Sequence, residues 1–176
     1  MRGWARRLGA LGRVVCFDYP YMAERRGRPD PRAKLVAAHR AALAAARADH
    51  PGPVVLCGKS LGGRIGCHVA LEEPVTALVC FGYPLIGMRG DVRDAVLREL
   101  RTPVLFVQGT RDHYAPLADL EAVRACMPAP TALHVVETGD HSLLATRRWL
   151  EAHATTQDAV DAAALAAIAD FLQKHL

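Results

Sequence analysis

Apolar positions in this chain fall into short unbroken runs separated by longer mixed stretches. The runs are Arg13–Phe17 (RVVCF), Pro53–Cys57 (PVVLC), Val75–Phe81 (VTALVCF), Pro103–Gln108 (PVLFVQ) and Ala132–Glu137 (ALHVVE). Strict alternation would indicate a sheet with one wet face. Near-continuous runs instead predict parallel strands covered by helices on both faces. Helices are predicted between and around them, over 3–10, 32–49, 61–72, 91–100, 117–127 and 156–175. In the last, Val160, Leu165, Ile168, Phe171 and Leu172 recur at mostly helical spacing. Breakers punctuate the order, among them Pro20, Gly27-Arg28-Pro29-Asp30-Pro31, Pro51-Gly52-Pro53, Gly82-Tyr83-Pro84 and Gly139. The alternation predicts one α/β domain over residues 1–176, a three-layer αβα sandwich with a mainly parallel sheet. No internal repeat or linker divides it.

Composition narrows the class. Hydrophobic residues make up 51% and charged residues 23%, which excludes a disordered chain. No apolar run approaches the roughly 20 residues of a membrane helix, and the first residues lack the apolar core of a signal peptide. The five cysteines (Cys16, Cys57, Cys67, Cys80, Cys126) form no C-x-x-C or zinc pattern. Cys16, Cys57 and Cys80 lie in apolar runs and are expected to be small buried hydrophobes. This usage fits a reducing cytoplasm, with no metal or cofactor expected. Residues 1–50 hold eleven Arg/Lys against four Asp/Glu, and the remainder eleven against fourteen. A basic front can meet nucleic acid or an acidic partner. Without interleaved aromatic residues it reads instead as a solvated arginine-rich surface, so no nucleic-acid partner is expected.

The chemistry concentrates at Gly58-Lys59-Ser60-Leu61-Gly62-Gly63. It fits G-x-S-x-G, follows PVVLC and opens the helix LGGRIGCHVAL, the context of a nucleophile elbow. Small neighbours let the chain pass close to itself in so sharp a turn. The turn lifts the serine hydroxyl clear of the sheet and aims the Leu61 N–H at a developing oxyanion. Ser60 is one of only two serines, the other being Ser142. A P-loop is excluded, because its first glycine would have to stand at Pro53.

A serine hydroxyl needs a base, and the base an orienting acid. In α/β-hydrolases the chain order is Ser, acid, His. Asp112 follows PVLFVQ, and His141 follows ALHVVE, each at the end of a strand where open α/β sheets carry their sites. His113 is the competing base, and Asp140 the competing acid, disfavoured because adjacent side chains diverge. His39, His50, His68, His134, His153 and His175 read as structural or surface residues. Lys59 and Arg64 flank the elbow, solvated, paired with carboxylates, or facing an acidic substrate.

At these residues the sequence resembles the KANL-three/testis-expressed-thirty type of α/β-hydrolase, related to dienelactone hydrolases. The stretches that carry the resemblance are Phe17-Asp18-Tyr19-Pro20-Tyr21-Met22, Gly58-Lys59-Ser60-Leu61-Gly62-Gly63-Arg64, Gly82-Tyr83-Pro84-Leu85, Val107-Gln108-Gly109-Thr110-Arg111-Asp112 and Gly139-Asp140-His141-Ser142. The resemblance implies Ser60 as nucleophile, Asp112 as acid and His141 as base. It also implies a strand and a His-Gly-Ala-Gly-like oxyanion loop before the Met1 position. By that likeness RVVCF is the fourth strand of the full fold, and the third lies between it and PVVLC. Leaving out a middle strand separates two edges by about two spacings of 4.8 Å. Unpaired buried backbone groups cost on the order of 1–3 kcal/mol each. A strand's worth exceeds the usual net stability of about 5–15 kcal/mol. Either the strands close up in a new arrangement or, as expected here, the chain is an N-terminally truncated α/β-hydrolase fold, a fragment or misassigned start of a longer protein.

These readings point to a serine hydrolase for an ester, thioester or related acyl bond of a small substrate. The alternative is a hydrolase-fold interaction module with little catalysis and a protein partner on its basic surface. Connections between strands are short, and Gly82–Asp91 is the stretch that could cover the site.

Overall fold

The computed structural model describes residues 2–87 and 90–176. Its sheet has four parallel strands in the order β1-β2-β3-β4: β1 (Val55–Lys59), β2 (Ala77–Phe81), β3 (Val104–Gly109) and β4 (Thr131–Val136). The helices are α1 (Arg2–Leu8), α2 (Pro20–Ala23), α3 (Arg32–Asp49), α4 (Leu61–Ala70), α5 (Ala95–Glu99), α6 (Leu117–Ala125), α7 (Arg147–Ala152) and α8 (Gln157–Gln173). Two of these, α2 and α7, fall where no helix was expected. Helix α2 starts at Pro20, because proline is tolerated in a helix's first turn, where no intrahelical N–H bond is needed. Helix α7 is capped by the Thr146 hydroxyl, which accepts from the Trp149 N–H.

The continuous apolar runs are explained by two cores, one on each face. Leu56, Leu78, Cys80, Val104 and Phe106 point to one side, against Leu35 and Leu43 of α3, Ile65 and Val69 of α4, Leu97 of α5 and Leu120 of α6. The alternate residues Ala77, Val79, Phe81, Leu105 and Val107 point to the other, against Leu8 of α1 and Ala164, Ile168 and Phe171 of α8. Every residue of β2 and β3 is buried. The three-layer αβα arrangement and the parallel sheet are as expected.

The first apolar run is a correction. Arg13–Phe17 forms no strand, and Leu11, Val14, Val15 and Phe17 are exposed. Among the described residues β1 is hydrogen-bonded to β2 alone, so no ladder receives this run. A backbone becomes a strand by pairing with a neighbour, which an apolar pattern cannot supply by itself. Tyr19 and Phe17 are held instead by side chains. The Tyr19 hydroxyl meets His39 Nδ1 at 3.1 Å, and the Phe17 ring lies 5.0 Å from that of His39. Cys16 and Cys57 are likewise exposed rather than buried, the first in the unpaired segment and the second on an edge strand; Cys80 is buried. Strand β1 also begins and ends two residues later than expected, because its ladder continues through Gly58 and Lys59 opposite Cys80 and Phe81.

Candidate active site

The turn after β1 is built by close backbone approach. Ser60 has φ 51° and ψ −120°, a left-handed conformation that costs a non-glycine residue about 1–3 kcal/mol. Its N–H donates to the Phe81 carbonyl (2.9 Å), and its carbonyl accepts the Arg64 N–H (3.1 Å), the first bond of α4. A Cβ on Gly58 would run into the backbone of Gly62 and Gly63. That contact is the physical reason the motif demands small residues. Although Ser60 stands at the N-cap position, its hydroxyl makes no cap bond. It lies 2.8 Å from His141 Nε2. The Leu61 N–H belongs to the first turn of α4, where backbone donors have no intrahelical acceptor.

The turns after β3 and β4 bring the other two residues in. A Cβ on Gly109 would overlap the backbone of Gly139, so the two turns pack main chain against main chain. The Arg111 N–H donates to the Gly139 carbonyl (2.9 Å) and the Thr138 N–H to Thr110 Oγ1 (2.8 Å). Across this junction His141 Nδ1 lies 2.8 Å from Asp112 Oδ2. The Asp112 side chain is fully buried, and its Oδ1 accepts the Tyr114 N–H (2.9 Å). A carboxylate only accepts, so Nδ1–H donates to Asp112 and the Nε2 lone pair faces the Ser60 hydroxyl. The structure thus brings Ser60, His141 and Asp112 into one hydrogen-bonded chain. His113 is exposed, and Asp140 turns back to accept the N–H groups of Ser142 (2.7 Å) and Leu144 (3.1 Å).

Two contributors went unrecognised in the sequence. Gln108 is wholly buried; its Nε2 donates to Asp112 Oδ2 (2.5 Å) and its Oε1 accepts the Tyr83 N–H (3.0 Å). It shares with His141 the same carboxylate oxygen. The available signal was a polar residue closing an otherwise apolar strand. Gly82 has φ +56°, and a Cβ there would lie 2.8 Å from the His141 carbonyl and 3.3 Å from His141 Nδ1. Lys59 is not carboxylate-paired: its Nζ donates to Ser142 Oγ (2.8 Å), tying the elbow to the loop of His141. Of the stretch Gly82–Asp91, Met88 and Arg89 lie outside the described residues; nearby, Ile86 and Val92 form an antiparallel bridge.

A parallel sheet between helical layers, with a serine at a sharp strand-to-helix turn, defines the class as an α/β-hydrolase fold. The family model for the alpha/beta hydrolase domain matches residues 1–173, and the chain belongs to that family. Among solved structures it is similar to a protein of unknown function from Agrobacterium tumefaciens, an inferred alpha/beta hydrolase. That match has a TM-score of 0.72 and 15% identity, covering 98% of this chain and 75% of the other. An inferred dienelactone hydrolase from Klebsiella pneumoniae matches with a TM-score of 0.60 and 22% identity, over 90% of this chain and 68% of the other. A cold-adapted esterase from an Arctic intertidal metagenomic library matches with a TM-score of 0.58 and 20% identity, over 82% and 56%. The chain thus spans between just over half and three quarters of these structures. Among the described residues, no helix is long and apolar enough to cross a membrane.

Proposed function

We propose that this chain is a serine hydrolase acting on an ester, thioester or related acyl bond of a small substrate. The observation that carries this reading is the continuous contact from Ser60 Oγ through His141 to Asp112, 2.8 Å at each step. Ser60 Oγ bonds to the substrate's carbonyl carbon while its proton passes to His141 Nε2. Asp112 stabilises the imidazolium, and the Leu61 N–H the oxyanion. Collapse breaks the bond to the alcohol or thiol, which leaves with the proton from His141. Water then gives a proton to His141 and attacks the acyl carbon. The bond to Ser60 breaks, Ser60 recovers its proton, and the acid is released. The chemistry calls on no metal or cofactor. The resemblance to the KANL-three/testis-expressed-thirty group supports the same assignment of roles. Free thiols at all five cysteines are compatible with a reducing cytoplasm.

A fluorophosphonate probe tests the reading. Covalent labelling is expected on the folded protein, and Ser60→Ala abolishes it. A folded protein that no probe labels overturns it in favour of an interaction module, and labelling that survives Ser60→Ala overturns Ser60 as the nucleophile.

A further inference from the structure

Beside the elbow lies a cleft of about 250 Å³ whose wall includes Asp30, Arg32, Leu61, Arg64, Ile65 and Arg93. Leu61 directly follows Ser60, and Arg64 stands one helical turn beyond it. The wall of the cleft therefore begins at the residue after the candidate nucleophile. Three arginines and one acidic residue, Asp30, line this small space. The carboxylates near them already have cationic partners. Asp30 Oδ1 receives Arg26 (2.8 Å) and Lys34 (3.2 Å), and its Oδ2 accepts the Tyr21 N–H (3.0 Å). Asp91 meets Arg93 at 3.2 Å. Among the described residues the Nε atoms of Arg64 and Arg124 are buried without a hydrogen-bond acceptor, and of the two Arg64 lines this cleft. A buried donor left without an acceptor is unfavourable, and more so on a charged group. Burial, and then the cations of Arg93 and Arg32, push the Arg64 guanidinium below its ordinary range.

We propose that this cleft is an anion subsite, in which Arg64, supported by Arg32, binds a carboxylate or phosphate group on the substrate. The inference deepens the hydrolase reading and rests on it for its catalytic part. Guanidinium groups match planar or tetrahedral oxyanions through paired N–H donors. The substrate class is then an acyl ester or thioester carrying an oxyanion a few bonds from the scissile carbonyl.

The test compares mono-p-nitrophenyl adipate with p-nitrophenyl hexanoate, six-carbon acyl esters that differ by a terminal carboxylate. The anionic ester is expected to have a kcat/KM about tenfold higher, mainly through KM. Arg64→Gln should bring the ratio close to one, while Arg147→Gln, on the exposed surface of α7, leaves it unchanged. A ratio near one in the wild type, or an Arg64→Gln variant that slows both esters equally, overturns the proposal. Calorimetric titration of Ser60→Ala with adipate and with inorganic phosphate separates carboxylate from phosphate by which binds more tightly. If neither ester is cleaved, the hydrolase reading fails and the titration decides the subsite. Binding that Arg64→Gln abolishes sustains it, and no binding of either anion overturns it.

Discussion

The run PVLFVQ and the run RVVCF carry the same apolar signature and have opposite fates. The first becomes β3, paired on both sides and buried at every position. The second lies unpaired, with Val14, Val15 and Phe17 exposed. The difference lies in their surroundings, because β3 has β2 and β4 to hydrogen-bond while, among the described residues, no strand pairs with the first run. Chemistry follows the same division. Asp112 and His141 stand on turns that grow from β3 and β4. Ser60 stands at the boundary, on the strand with one partner, and is tied inward by its bond to Phe81. Two of the candidate site's three residues thus stand on turns after the carboxyl-terminal strands.

The largest expected effect lies at the three candidate residues themselves. Ser60→Ala or His141→Ala should lower kcat by roughly 10⁴–10⁶-fold, since nucleophile and base act as a unit. Asp112→Asn should cost about 10⁴-fold by favouring the wrong imidazole tautomer. Steady-state kinetics on an activated ester, with circular dichroism to confirm folding, checks both. If His141→Ala leaves most of the activity, the assignment of the base is wrong.

Next comes the core. Phe106 is fully buried between α-helical side chains and the Tyr83 ring, 5.6 Å away edge-on. Phe106→Ala should destabilise by about 3–5 kcal/mol, read from urea unfolding. A loss near zero would show that β3 is not the backbone of the core.

What was legible in the sequence divides along the same line. The elbow could be read because Gly58, Ser60, Gly62 and Gly63 record a backbone contact local to one turn. Asp112 and His141 could be read because strand ends and chain order constrain where acid and base stand. Gln108 and Gly82 act across turns distant in sequence, so the polar residue closing an apolar strand does not by itself show what it touches. RVVCF forms no strand because an apolar pattern says nothing of who pairs with it, and without a partner the run stays exposed. The orphaned Nε of Arg64 depends on what α3 and the segment before α5 bring beside it, again a contact between distant residues.

The amino-terminal side has its own acid-sensitive tie. Burial holds the His39 imidazole down at about 4, against an ordinary 6.5. Between these values the unfolded chain binds the proton and the folded one does not. Stability contributed here is present above pH 6.5 and is lost as pH falls towards 4, by up to about 3 kcal/mol. Burial lowers His68 and His134 in the same direction. The measurement is therefore the difference between wild type and His39→Gln in urea midpoints at pH 7 and pH 4.5. The variant should show the weaker pH dependence. Equal dependence in both would mean that Tyr19 and His39 do not hold this segment.

The smallest expected effect sharpens the comparison most. Val15 is 53% exposed in the unpaired run. Val15→Ser should change stability by no more than about 0.5 kcal/mol, because little apolar area is withdrawn from water there. Leu105→Ala, in a run of the same appearance, should cost about 2–5 kcal/mol. If Val15→Ser instead costs as much as a core substitution, the run is covered in solution. The contrast between the two runs would then lie in what covers the first one, and its valines would behave as core residues. A value within the smaller limit ties the fate of each run to its neighbours, since equal hydrophobicity would have produced unequal burial.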